Sequence, residues 1–243
     1  GTYGGTGWGP GAGARLAAAL PGGAPLTLAP RGELWAGGQL LARGVTSACV
    51  HFDGGGLGLG GAEDGGDAEP PAGTAWVLWT TRAGELCCAA QLPGGGGGFG
   101  PEVSRAAEDG ARLVCAPPGG VEAVLQMPRG NLEAVCPRAL VLRAACAALL
   151  EGRYGAAHEL CLRHRVDRNL LVDFGWPSFL ARAPELVAQV SDPSDLVELV
   201  EALTERSTTL EGGAYHGLVP PAPPPPPEAA EALAAAPAGA RGK

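Results

Sequence analysis

The stretch HELCLRH, residues 158–164, combines the residue types that bind catalytic zinc. A zinc-protease motif needs its second histidine four residues after the first, on the same face of a helix. Position 162 is Leu, however, and His164 lies about 240° around the helix from His158. His158 and Cys161 share a face, but a zinc site requires three or four ligands. We therefore predict no metal site, and a small hydrolase or metalloenzyme using His158, Cys161 and His164 is the minor alternative.

The other patterns that could carry chemistry lack the surroundings that such sites need. The glycines of GGTGWGPGAG, residues 4–13, follow no predicted strand and precede no GK[ST] sequence, as a phosphate-binding loop would require. No serine lies in a GxSxG frame. The acidic residues between Glu63 and Glu69 lie among glycines, which cannot hold two carboxylates at the fixed separation of acid–base catalysis. We predict that the chain is not an enzyme and uses no cofactor.

Composition narrows the class of protein further. The 243 residues include 41 Gly and 23 Pro, concentrated in runs that cannot bury enough apolar surface to offset their ordering entropy. A formal charge of −8 argues against a nucleic-acid clamp formed by the whole chain. Seven cysteines without CxxC spacing predict core thiols in a reducing compartment, so we expect a cytoplasmic protein that also occurs in the nucleus. We see no signal peptide and no apolar run of about 18 residues, and expect no membrane association.

Short apolar runs separated by Gly and Pro turns fill the first half. From Leu26 to Met127 they predict about seven antiparallel strands, with PPGG at residues 117–120 as the best hairpin turn. This pattern fits one or two blades of a β-propeller or a small sandwich. Trp76 and Trp79 lie three apart in one strand and face opposite sides, which predicts a core position for one and a blade or partner contact for the other.

A helical period replaces the strand pattern after Pro137. Five short helices are predicted: one from Arg138 to a Gly152 cap, one in RYGAAHELCLRHR, one ended by Gly175, one beginning near Pro177, and one capped by Ser191 or Asp192. Pro184 should kink or restart the fourth. MPRGN, residues 127–131, should break the last strand so that the chain leaves the sheet region. Short helices with short connections predict the start of an α-solenoid.

The predicted fold class is thus β then α: a partial WD40-like β-propeller of antiparallel strands followed by an α-helical, TPR-like solenoid. The predicted organisation is a glycine-rich segment at 1–25, the propeller part at 26–130 with disordered insertions at 53–73 and 93–101, the solenoid start at 131–212, and a disordered Pro/Ala-rich tail at 213–243.

A mildly basic segment runs through the junction. Seven arginines lie between Arg129 and Arg168, against four acidic residues. Five of them are candidates for contact with partner proteins: Arg129, Arg138, Arg163, Arg165 and Arg168. The alternative is an ordinary solvated helix face.

The junction itself resembles a known family. QMPRGNLE, residues 126–133, is followed by RALVL, and residues 154–173 follow the pattern YxxAxxxCxxHRxDxNLLxD. These motifs resemble the large scaffold subunit of the Elongator complex, of the IKAP type, where its second propeller passes into its helical arm. The similarity extends over about residues 34–203, excluding the linkers, and is strongest at 125–173.

The resemblance implies a non-catalytic scaffold that supports the 5-carboxymethyl-type modification of the tRNA wobble uridine (U34). The implied partners are the other Elongator subunits, including the catalytic radical-SAM/acetyltransferase subunit, with tRNA bound through the complex and a homodimer formed through regions outside this chain. No tRNA-binding residue is assigned. The propeller–solenoid plan also allows a second interpretation, a scaffold of a membrane coat or trafficking complex.

Overall fold

The computed structural model describes residues 15–20, 23–52, 74–92 and 98–222, together with Pro224 and Pro227. The chain divides into two compact units, Gly1–Pro137 and Arg138–Lys243. Antiparallel sheets make up the first unit and helices the second, so the predicted β-then-α fold class is confirmed. None of the helices in the described part of the chain has both the length and the mean hydropathy needed to cross a membrane.

Three antiparallel sheets form the sheet unit. The first has the order β1-β2-β3-β4, the second β5-β6-β7-β8, and the third β11-β10-β9. The strands are β1 (Arg15–Ala19), β2 (Pro25–Leu28), β3 (Leu34–Ala36), β4 (Gln39–Ala42), β5 (Val45–Phe52), β6 (Ala75–Thr81), β7 (Glu85–Ala90), β8 (Val103–Ala106), β9 (Arg112–Cys115), β10 (Ala123–Gln126) and β11 (Leu132–Val135). Each of the two four-stranded sheets is a simple meander.

Strand β6 is the centre of the sheet unit because both of its faces are covered. Its sequence AWVLWTT is apolar at successive positions, as a strand buried on both sides requires. Val77 and Trp79 pack in one core with Leu26 and Leu34 of the first sheet, and all four are essentially inaccessible to solvent. Trp76 is buried as well, at 4% exposure, so it is not available as a surface anchor for a partner protein.

Hydroxyl groups join the second and third sheets beside this core. The backbone N–H of Leu113 in β9 donates to Ser47 Oγ at 2.7 Å. Ser47 Oγ also lies 2.5 Å from Thr80 Oγ1, which contacts Thr46 Oγ1 at 2.8 Å. These bonds satisfy a strand-end donor that water would otherwise have to reach. They place the first residues of β9 against the paired strands β5 and β6.

The structure corrects several details of the predicted sheet region. It has eleven strands among the described residues, not about seven, and β1 lies inside the predicted glycine-rich segment 1–25. PPGG does connect β9 to β10, as predicted. MPRGN does not release the chain from the sheet: Met127 N donates to Asn131 O at 2.8 Å, which closes a hairpin between β10 and β11. The sheet region therefore extends past residue 130 to the unit boundary after Pro137. The propeller assignment stays a prediction.

All five predicted helices are present. They are α1 (Arg138–Leu150), α2 (Tyr154–His164), α3 (Asn169–Asp173), α4 (Trp176–Gln189) and α5 (Pro193–Glu201). Gly152 ends α1 with a φ of +72°, and Arg153 N donates back to Ala148 O at 2.8 Å. Asp192 caps α5 by accepting from Ser194 N. Helix α4 continues through Pro184 without a restart.

The predicted disordered regions lie mostly outside the described residues. This applies to the insertion 53–73, to residues 93–97 and to most of the tail beyond 222. The part of the tail that the structure describes is folded: Tyr215 is 9% exposed, and its N–H donates to Thr208 O at 2.8 Å. Residues 213–222 were therefore wrongly grouped with the disordered tail.

Two glycines in the first sheet provide a test of backbone constraint. Gly32 has a φ of +82°, and an added Cβ would lie 2.9 Å from Val45 O. Gly38 has a φ of +89° but open space around it. Gly32→Ala should therefore lower the free energy of unfolding of the sheet unit by about 3 kcal/mol, and Gly38→Ala by about 1 kcal/mol. Urea titrations followed by tryptophan fluorescence would measure both values, and equal losses would contradict the close approach at Gly32.

Candidate functional site

The five candidate arginines do not form one cluster. Arg129 is exposed in the β10–β11 turn of the sheet unit, between Pro128 and Gly130. The other four belong to the helical unit, at the start of α1, the end of α2 and the start of α3. Each therefore has to be judged by its own contacts.

Arg138 supports the end of a neighbouring helix. Its NH1 group donates to His164 O at 2.9 Å and to Arg165 O at 3.2 Å. These carbonyls are at the C-terminus of α2, where the helix has no backbone donors left to offer and where positive charge is favourable. Arg138 thus has a structural role that the sequence pattern did not reveal, although its side chain remains partly accessible.

Arg163 and Arg165 are the two candidates that point into solvent. Arg163 forms an ion pair with Glu159 one turn earlier, and both side chains are more than 60% exposed. Arg165 ends α2 in the left-handed conformation, with a φ of +52°, and its N–H donates to Leu162 O. Its side chain forms no ion pair with another described residue. An exposed pair one turn apart contributes little to stability, so these two arginines are free to serve a partner.

Arg168 is mostly buried and joins two elements. Its side chain is 17% exposed, and NH2 lies 3.2 Å from Glu198 Oε2 on α5. Removing either member of such a pair would leave a poorly solvated charge. We therefore assign Arg168 to the interior of the helical unit and not to a partner-facing surface.

A buried polar network around Asn169 was missed at the level of sequence. Asn169 is 2% exposed, and its side-chain amide donates to Ala202 O at 2.9 Å and to Asp167 Oδ1 at 2.8 Å. Its carbonyl oxygen accepts from Thr204 N at 2.9 Å. One side chain therefore closes the C-terminus of α5 against the start of α3. The turn DRN could have indicated its local half, because Asp167 accepts from Asn169 N as in an Asx turn.

A second set of bonds holds the segment that follows α5. Asp173 Oδ2 accepts from Thr208 N at 2.7 Å and from Thr208 Oγ1 at 2.9 Å. Tyr215 OH accepts from Asp167 N at 2.7 Å. Residues 204–215 thereby become part of the helical unit although they form no helix.

The residues of the minor metalloenzyme alternative are core residues. His158 and Cys161 are both buried in α2, and no group of three or more His, Cys, Asp or Glu side chains is close enough to hold a metal within the described ranges. Burial raises the pKa of Cys161 and of Cys146 to about 12, so both thiols remain protonated at neutral pH. Buried, protonated thiols are poor nucleophiles and poor metal ligands.

A cavity of about 210 Å³ lies within the helical unit. Its walls are mainly apolar and aromatic, and Pro224 from the proline-rich tail lines it too. The aromatic rings and the one charged side chain in its lining are Tyr154, Phe174, Phe179 and Arg182. It holds no pair of titratable groups suited to acid–base catalysis.

Comparison with known proteins matches this helical unit. Residues 138–218 match the family model described as the ELP1 alpha-solenoid, which spans α1 to α5 and the segment held by Asn169 and Asp173. The match confirms the predicted α-solenoid.

Curated relatives agree with the family model. "Elongator complex protein 1" of Arabidopsis thaliana is 40% identical over 104 residues, which are 42% of this chain and 8% of that protein. The Schizosaccharomyces pombe protein of the same name is 40% identical over 86 residues, 35% of this chain and 7% of that protein. The Rattus norvegicus protein is 33% identical over 122 residues, 50% and 9% respectively. The predicted resemblance is confirmed, and the chain spans less than a tenth of the length of these relatives.

The Asn169 network predicts a local unfolding phenotype. Asn169→Ala removes a donor to Ala202 O and an acceptor from Thr204 N, so the free energy of unfolding of the helical unit should fall by about 2–4 kcal/mol. Residues 204–215 should become the first site of limited proteolysis, mapped by mass spectrometry. Asn131→Ala, at an exposed position in the sheet unit, is the matched control. Unchanged proteolysis of the Asn169 variant would refute the clamp.

Buried His158 predicts a dependence of stability on pH. Desolvation lowers its pKa below the ordinary value, partly offset by Asp195 and reinforced by Arg168. The unfolded chain therefore binds the proton more readily, so His158 has its full stabilising effect above about pH 6.5 and loses it as pH falls through the folded pKa. Urea unfolding of the helical unit between pH 7.5 and pH 5 should show this loss.

Two histidine variants make the pH measurement specific. His158→Gln should flatten the slope between pH 7.5 and pH 5, since glutamine does not titrate. His216→Gln, at an exposed position, should leave the slope unchanged. An equal slope in the wild type and in His158→Gln would exclude His158 as its cause.

Proposed function

We propose that this chain is a non-catalytic scaffold segment of an Elongator complex. The observation that carries the proposal is the match of residues 138–218 to the ELP1 alpha-solenoid. Relatives named Elongator complex protein 1 support the same assignment over a stretch of similar extent.

Exposed apolar side chains on the last two helices support a scaffold role. Leu180 and Val187 on α4 are 47% and 58% exposed, and Val197 and Val200 on α5 are 56% and 67% exposed. Helical repeats bury such faces against a neighbouring element, and large exposed apolar surfaces on soluble proteins mark contact sites. These helices therefore offer contact area without offering chemistry.

The proposed task of the scaffold is to hold the catalytic radical-SAM/acetyltransferase subunit, so that the complex can install 5-carboxymethyl-type groups on the wobble uridine of tRNA. We propose that the other Elongator subunits are its partners, that tRNA is bound through the complex, and that homodimerisation uses regions outside this chain. A cytoplasmic protein that also occurs in the nucleus fits this role. The titratable groups of the helical unit act in capping and ion pairing, as expected for a scaffold segment.

The proposal predicts a defined loss of tRNA modification. Depletion of the full-length protein from cells should remove carboxymethyl-type wobble uridines from bulk tRNA, measured by nucleoside mass spectrometry. Re-expression of the wild-type protein should restore them. Intact modification after depletion would contradict the proposal and favour the coat-type scaffold.

Surface variants connect this readout to the helical unit. Rescue with Arg163→Glu together with Arg165→Asp, an aspartate being tolerated at a positive φ, should recover partner subunits about tenfold less well. Arg153→Glu is the matched control because Arg153 is also exposed and also lies beside a carboxylate, that of Glu151. If both variants rescue equally, the Arg163–Arg165 surface does not bind a partner, while the depletion result still decides the function.

A further inference from the structure

Three arginines from three separate sheets surround one cavity in the sheet unit. Arg15 is the first residue of β1, Arg82 follows β6, and Arg112 is the first residue of β9. All three line a cavity of about 450 Å³. The backbone fixes them there: Arg82 N donates to Gly44 O at 2.8 Å, and Arg15 is paired with Leu28 across the first sheet.

The walls of this cavity contain no opposing charge. No aspartate or glutamate is among its lining residues, and none of the three arginines forms an ion pair with a described carboxylate. Arg43, elsewhere in the same unit, shows the ordinary arrangement, with its NH1 group 3.4 Å from Glu33 Oε1. The rest of the cavity wall is largely apolar, with contributions from Leu28, Pro30 and Val45.

This charge pattern is unfavourable unless a counter-charge is present. Three positive groups around an apolar cavity repel one another, and a concave wall of low dielectric constant concentrates their field. The full chain carries a formal charge of −8, so the cluster is a local reversal of sign and not part of a general basic surface. A bound anion with two or more negative charges would neutralise it.

We propose that this cavity, here called the Arg15–Arg82–Arg112 pocket, binds a small polyanion carrying phosphate or carboxylate groups. The guanidinium fork donates two parallel hydrogen bonds to either group, and such bonds are strong because both partners are charged. Its volume lies within the roughly 300–1,000 Å³ of small-molecule sites. The inference concerns the sheet unit alone and does not depend on the proposed scaffold function.

Calorimetric titration of the 243-residue chain with pyrophosphate tests the pocket. Saturable binding to one site is expected, with affinity falling as NaCl rises from about 50 to 200 mM. Arg82→Ala and Arg112→Ala should each weaken binding about tenfold or more, because each loses a charge-assisted hydrogen bond. Arg43→Ala, which removes an equal charge outside the pocket, should stay within about twofold of wild type.

Further arms make the outcome decisive. Tryptophan fluorescence checks that each variant is folded, and Arg82→Lys, which keeps the charge but lacks the fork, should bind with intermediate affinity. Tighter binding of pyrophosphate than of citrate would identify phosphate as the natural group, and the reverse order would identify carboxylate. Absence of saturable binding by both anions, or an Arg43→Ala loss equal to that of Arg82→Ala, would overturn the proposal.

Discussion

Short helices impose the constraint on which the helical unit depends. A helix leaves about four N–H groups and four C=O groups without intrahelical partners at its two ends, and helices of 5 to 14 residues have few others. Burying such ends is unfavourable unless side chains or turns satisfy them. Arg138 supports the end of α2, Asn169 the end of α5, and the chain reversal at Gly152 the end of α1. Packing of apolar faces is possible only once these groups have partners.

The motif that carried the family resemblance follows from this constraint. Within YxxAxxxCxxHRxDxNLLxD, the apolar and small positions are closely packed: Ala157 and Cys161 on α2 and Leu170 on α3 have no measurable exposure. The polar positions provide the bonds to groups distant in sequence, with Asp167 bonded to Tyr215 and Asp173 to Thr208. The pattern thus records the packing and end-capping of one structural element. It contains no set of groups arranged for catalysis, which is why a motif rich in His, Cys and Asp does not indicate an enzyme.

Local signals in the sequence were sufficient for the helices and not for their long-range partners. Periodicity, Pro177 and the caps at Gly152 and Asp192 each act within one or two turns, and the corresponding helices were all predicted. Strands β1 and β11 were missed because alanine-rich and glutamate-containing runs have weak strand signals until a neighbour pairs with them. Tyr215 was misjudged because its partner lies 48 residues earlier in the chain. The same limit applies to Arg138 and Arg168, whose exposure is set by residues about 26 to 30 positions away.

Arginine serves three physically different purposes in this chain, and residue type alone could not separate them. In Arg138 the guanidinium replaces missing backbone donors, whereas in Arg168 it neutralises Glu198 at a mostly buried position. In Arg163 and Arg165 it remains in solvent, where it contributes little to folding. A charge that contributes little to stability can be changed without unfolding the protein, so interfaces can use such positions freely. The function of a scaffold is therefore to be sought among the side chains that the fold does not need, and in the helical unit these lie at the exposed end of α2.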